Sequence, residues 1–192
     1  MRFNKLNSIH SHHLSYHAVL PGVEVVGRVT VVVTNSPQSF HWDGYGFILH
    51  IPKNSLPAGL TQCTLDVIAS LAGQYLLPNN HQMVSPAYWV RPYPFCTFQK
   101  PLSLEIQHCA KVTSTTELIF IRAVCTQEKL PYEFSEVKEK GSFSEQSLFG
   151  SLQVYSFSGY GVAGKHEPGE EVEKLYFASS FSRSLQPLIA SS

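Results

Sequence analysis

The sequence is short of charge. Only 15 % of its 192 residues are Asp, Glu, Lys or Arg, where a globular domain carries roughly 25 %, and 14 basic residues balance 14 acidic ones. A polyanion is held by clustered Lys and Arg that release counterions. A chain of zero net charge and pI near 7.1 has no such footprint, so nucleic acid is not the expected partner. Nor is there an apolar run of about 18 residues, the length at which a helix starts to span a bilayer, and membrane insertion is not expected. The opening residues 1–8, followed by His10, His12 and His13, lack the apolar core of a secretory signal, so the expected location is cytoplasmic. Disorder over the whole length is excluded as well, because 43 % hydrophobic residues at zero net charge reverse the disordered signature.

Cysteine is sparse. Cys63, Cys96, Cys109 and Cys125 stand 33, 13 and 16 residues apart, which fits neither paired Cys-x-x-Cys zinc sites nor a dense disulfide framework. Each is expected to sit in a strand as a small reduced hydrophobe. Helix signals are scarce too: no window before residue 165 repeats apolar side chains at helical spacing between caps.

Strand signals are plentiful. Residues 23–34 are saturated with Val and Thr, whose stiff χ1 suits a pleated backbone, and predict a long strand bent at Gly27 and stopped at Asn35-Ser36-Pro37. Further strands are predicted over 45–51, ended by Pro52, and over 63–69, with Cys63, Leu65 and Val67 on one side. Prolines at 78, 86, 92, 94 and 101 restrict the middle to short strands and loops. Residues 102–107 alternate without error, Leu102, Leu104 and Ile106 against Ser103, Glu105 and Gln107, as a sheet with one dry face requires. Residues 118–124 are apolar on both faces apart from Arg122 and predict a central strand. Residues 127–146 read as an exposed hairpin or loop, and 151–157 as the last strand. The expected architecture is all-β: an antiparallel β-sandwich or partly open barrel. Residues 1–20 are expected to be a flexible leader, 21–162 the sandwich, and 163–192 a linker and the start of a second β domain or a tail. Within that last segment, residues 175–178 read as a strand that needs cover.

Three ordered blocks carry a family resemblance. They are Gly44-Tyr45-Gly46-Phe47-Ile48-Leu49-His50-Ile51-Pro52-Lys53-Asn54-Ser55-Leu56-Pro57, then Met83-Val84-Ser85-Pro86, then Phe98-Gln99-Lys100-Pro101-Leu102-Ser103-Leu104-Glu105-Ile106-Gln107-His108-Cys109-Ala110. Together they resemble the ZU-5 domain of zonula-occludens proteins, uncoordinated-five netrin receptors, ankyrins and a death-domain adaptor, over about residues 40 to 162. The residues make physical sense without the name. Pro52 ends a strand on a residue without N–H, and Asn54 stands in a tight turn where the family often has glycine, Asn being the residue that next best tolerates positive φ. Pro101 opens a strand at the one place where a sheet accepts it. The resemblance implies a ZU-5-type sandwich that acts as a non-enzymatic interaction module of a scaffold or signalling adaptor, without a cofactor. It implies a protein partner: a cytoskeletal protein, a death domain or a neighbouring β domain. Oligomeric state stays open.

Some relatives carry a His-Phe-Ser triplet and cut themselves between Phe and Ser. The aligned positions here are Ser156, Phe157 and Ser158, so the nucleophile is present and the imidazole is replaced by a hydroxyl. A positioned acid–base group is worth about 10²–10⁴-fold, and a hydroxyl does not accept a proton near neutral pH. Efficient self-cleavage is therefore not expected; the alternative is a self-cleaving signalling switch at Phe157–Ser158 with His108 standing in as base.

Other features read as structure. His10, His12, His13 and His17 hold metal-binding imidazoles without a Cys or acidic residue nearby, and no metal site is expected. His108 and Cys109 are adjacent and point to opposite faces of a strand. Residues 41–46 contain Gly-x-Gly without the helix that would cradle phosphate and read as a turn with an aromatic anchor. Tyr88, Trp89, Arg91, Tyr93, Phe95 and Phe98 form an aromatic run, and Trp, Tyr and Arg dominate binding hot spots when exposed. Half must face inward in any strand; Tyr88, Trp89, Arg91 and Tyr93 are the candidate interaction surface. No nucleophile elbow, triad order, carboxylate pair or phosphate loop is present, and an enzyme is not expected.

Overall fold

The β-branched opening forms the strand it predicts, β1 (Val23–Val32), in a computed structural model that describes residues 23–70, 75–113, 115–123, 131–138 and 141–165. It is followed by β2 (Gln38–Trp42), a single 3-10 turn (Asp43–Tyr45), β3 (Phe47–Ile51), β4 (Gln62–Ser70), β5 (Tyr75–Leu76), β6 (His81–Met83) and β7 (Ala87–Tyr93). Then come β8 (Leu102–Gln107), β9 (Leu118–Ala123), β10 (Tyr132–Glu133), β11 (Ser135–Glu136), β12 (Gly141–Ser142), β13 (Phe149–Val154) and β14 (Gly159–Lys165). No α-helix occurs among the described residues.

Two antiparallel sheets make the sandwich. One runs β1-β4-β7-β14-β9-β11 with β6 also on β14; the other runs β12-β13-β8-β3-β2. Alternating side chains close the space between them: Leu49, Leu104, Ile106 and Leu152 from one sheet meet Leu65, Val67, Val90 and Val162 from the other, all buried. Full burial of such a side chain is worth about 1.5–3 kcal/mol. The β1–β4 register slips between Val25 and Gly27, a bulge at the predicted bend. A Cβ at Gly27 would lie 2.4 Å from Trp42 Nε1, so the missing side chain lets the indole of one sheet lie against the other.

The larger sheet is apolar on its outer face too. Ile68, Trp89, Ile121 and Ala163 there meet Tyr132 and Phe134 in a second buried cluster, capped by the short parallel pair β5–β10. This explains the two-faced apolar pattern of 118–124.

Several boundaries differ from the sequence reading. β2 lies in what read as loop, and Tyr45 belongs to the turn before β3. Residues 127–146 carry two buried aromatics, Tyr132 and Phe134, because the second cluster needs a lid. The strand read over 151–157 stops at Val154, and the sandwich runs past residue 162 through β14 to Lys165. Three glycines hide β14, and Gly is a poor strand former in isolation. The predicted leader, His10, His12, His13, His17, Cys125 and the 175–178 strand lie outside the described residues.

The three sequence blocks are tied to one another. The Gln99 amide donates to the Ser55 carbonyl at 2.8 Å, and Lys100 Nζ to the Lys53 carbonyl at 2.7 Å. The Cys109 amide donates to the Val84 carbonyl at 2.8 Å. Ser85 bridges the gap where β14 leaves β6 for β7: its Oγ accepts the Val162 amide at 2.8 Å, supplying a partner where Pro86 interrupts the ladder.

Candidate functional site

The Ser156-Phe157-Ser158 triplet lies in the turn from β13 to β14. Phe157 is buried edge-on to Phe98, ring centroids 5.3 Å apart, and the Ser156 carbonyl accepts from the Tyr160 hydroxyl at 2.9 Å. Ser158 is buried, and its Oγ accepts from Arg122 Nε at 2.9 Å. Arg122 stays protonated at any physiological pH and accepts nothing, so it cannot relieve the serine of its proton. His108 is no substitute. Antiparallel pairing sets Phe149 opposite Gln107 and Val154 opposite Leu102, which puts His108 beside the start of β13 and Ser158 beyond its end. At about 3.3 Å per residue they are on the order of 20 Å apart. His108 Nδ1 instead faces the Ala110 carbonyl at 3.1 Å.

The candidate interaction surface divides. Tyr88 is fully buried, stacked on Phe47 at 4.7 Å, with its hydroxyl donating to the Tyr45 carbonyl. Trp89 is buried at 5.0 Å from Tyr132 in the second cluster. These two are core, because β7 is covered on both faces. Arg91 is half-buried, and Tyr93 is 61 % exposed.

Past Tyr93 the chain leaves the sheet through a cis Tyr93–Pro94 bond, and Phe95 stands 83 % exposed. Strand pairing puts several other ends beside it. Thr64 at the start of β4 faces Tyr93, and Val32 at the end of β1 faces Gln62. The Phe98 amide reaches the Tyr155 carbonyl at 3.3 Å, and the Asn54 amide the Thr34 carbonyl at 3.3 Å. Of the seven large apolar side chains exposed among the described residues, five (Val32, Val33, Tyr93, Phe95 and Tyr155) share this end. Its segments 31–38, 51–64, 91–103 and 153–159 contain Lys53, Arg91 and Lys100 and no Asp or Glu.

Two groupings escaped the sequence reading because they depend on register. On the outer face of the smaller sheet, Ser39 Oγ lies 2.8 Å from His50 Nδ1, and His50 Nε2 lies 3.1 Å from Glu105 Oε1. Ser39 opposes His50 across β2–β3, and Ile48 opposes Glu105 across β3–β8, so three strands align the side chains. The set resembles a relay, but a nucleophile also needs donors for a developing oxyanion and a wall for the acyl group; these side chains rise together from an open sheet face, where they lock the strands in register. The other grouping is Cys63 and Cys96, whose sulfurs approach to 3.8 Å. Cys63 is buried in β4; Cys96 is half-buried in the loop after β7, and Cys109 in the loop after β8, so neither of these two sits in a strand.

The chain matches no family model, and no curated protein matches it at a significant level.

Proposed function

We propose that the chain is a ZU-5-type interaction module of an intracellular scaffold or signalling adaptor, and that it holds a protein partner at the end of the sandwich marked by Tyr93 and Phe95. The observation that carries this reading is the gathering there of five of the seven exposed large apolar side chains. Exposed apolar residues are ordinarily scattered, and a cluster marks contact. Aromatic anchors desolvated in a partner's groove supply most of the affinity of such a surface. Its Lys53 and Lys100, in segments without a carboxylate, favour a partner whose groove is rimmed by acidic groups. The cross-ties among the three sequence blocks support the family reading, since each block meets another through a hydrogen bond to a backbone carbonyl.

The test is capture from the cells of origin by the wild-type chain and by the Tyr93→Ser, Phe95→Ser double variant. Both positions are exposed, so the variant keeps its melting temperature. A partner lost from the variant, and weakened by added salt in the wild type, supports the reading; equal capture by both overturns it.

A further inference from the structure

Cys63 and Cys96 are 33 residues apart in sequence and belong to different segments, yet the Cys96 thiol donates to the Cys63 sulfur at 3.8 Å. The Cys63 thiol itself reaches the Pro94 carbonyl at 3.7 Å. Phe95, the most exposed large apolar side chain described, is therefore bracketed by two residues that both touch the Cys63 sulfur. Cys63 lies in the rigid β4 ladder between Val31 and the β7 strand end, whereas Cys96 lies in a loop with no ladder of its own. A disulfide needs its sulfurs at about 2.05 Å, so closure brings the two sulfurs about 2 Å nearer and ties the loop to β4.

We infer that Cys63 and Cys96 form a dithiol that, when oxidised by abundant peroxide, staples the Phe95 loop to β4. The regulatory consequence, a change in partner binding, rests on the docking reading above. Cys96, the more accessible thiol, reacts first. Its thiolate attacks one oxygen of the peroxide, the O–O bond breaks, and hydroxide leaves, giving a sulfenic acid. The Cys63 sulfur then attacks the Cys96 sulfur; the S–S bond forms, the S–O bond breaks, and the departing hydroxide takes the Cys63 proton as water. Two electrons pass from the thiols to the peroxide. Burial pushes the Cys63 thiol up to about 12 and also raises Cys96, so thiolate is scarce at neutral pH and the pair stays reduced until peroxide is abundant.

The full chain, reduced and then treated with hydrogen peroxide, provides the test. Oxidation lowers the titre from four thiols to two, removes about 2 Da for the two hydrogens lost, and yields a linked peptide joining Cys63 to Cys96. A chymotrypsin-type protease, which cuts after aromatic residues, then cleaves after Phe95 about tenfold more slowly, because cleavage requires the loop to open. Dithiothreitol reverses both effects, and Cys96→Ser, a change at the half-buried position, abolishes both. Four thiols surviving peroxide, a link to Cys109 instead, or unchanged cleavage at Phe95 overturns the proposal. A disulfide that protects Phe95 while leaving partner capture unchanged upholds the switch and counts against the docking reading alone.

Discussion

Arg122 Nε donates to Ser158 Oγ at 2.9 Å, from β9 of the larger sheet to the turn that precedes the neighbouring strand β14. The hydroxyl that would attack the Phe157 carbonyl is thus an acceptor for a permanent cation, and its proton has no described basic neighbour. The full chain is expected to keep its mass of 21.4 kDa through days at neutral pH. Paired fragments meeting at Phe157–Ser158 would contradict this. Ser158→Ala is expected to leave that mass pattern unchanged and to cost about 1 kcal/mol through the lost bond to the guanidinium, read as a lower urea midpoint.

His108 gives the fold a pH dependence. It is buried beside Phe143, ring centroids 5.7 Å apart, with no partner for Nε2. Burial holds its imidazole below the ordinary 6.5, against a smaller opposing effect from the Ala110 carbonyl. A depressed folded-state value means that the unfolded chain binds the proton first. The stability linked to His108 is therefore complete above about pH 6.5 and is lost as pH falls below it toward the folded-state value. Urea midpoints measured from about pH 7.5 down to pH 5 are expected to fall in the wild type and to fall less steeply in His108→Leu.

Gly159 is a packing requirement. A Cβ there would lie 2.5 Å from Trp89 Nε1, and Trp89 is pinned between the sheet and Tyr132. Gly159→Ala is expected to cost about 1–3 kcal/mol, as overpacking does. Gly44, with open space around its Cβ position, supplies the control: thermal unfolding of Gly44→Ala should stay close to wild type.

Asn54 adopts φ of 53° in the turn after β3. Asn54→Val is expected to lose about 1–2 kcal/mol, the cost of a left-handed conformation for a residue with a Cβ branch, while Asn54→Gly should be neutral or better. A stable Asn54→Val variant in chemical denaturation would show that the turn has rearranged.

Legibility in the sequence followed the reach of the forces involved. β8 could be read residue by residue because each of its side chains answers to one question, dry face or wet, and Leu102, Leu104 and Ile106 are all buried. The turn at Asn54 was legible for a similar reason, since positive φ is a local steric matter. β14 was not, because Gly159, Gly161 and Gly164 carry no strand preference of their own; Gly159 and Gly161 are selected by Trp89 and Met83, which press on that strand from elsewhere. The aromatic run was legible as important and illegible as to side. Only the second cluster on the outer face shows why Trp89 is covered while Tyr93, on the same side of β7, is not.

The amino-acid sequence by itself determined that this chain builds antiparallel sheets, that its first strand bends at Gly27 and another ends before Pro52, and that the triplet at 156–158 holds no histidine. Those properties depend on alternation, on proline and on positive φ, all of which act within a few residues. Tertiary structure alone decided that Ser158 meets Arg122, that Cys96 meets Cys63, and that Tyr93 and Phe95 stand together with Tyr155 at one end. Such meetings depend on strand order and register, and a slip of one residue would send every side chain of a strand to the opposite face.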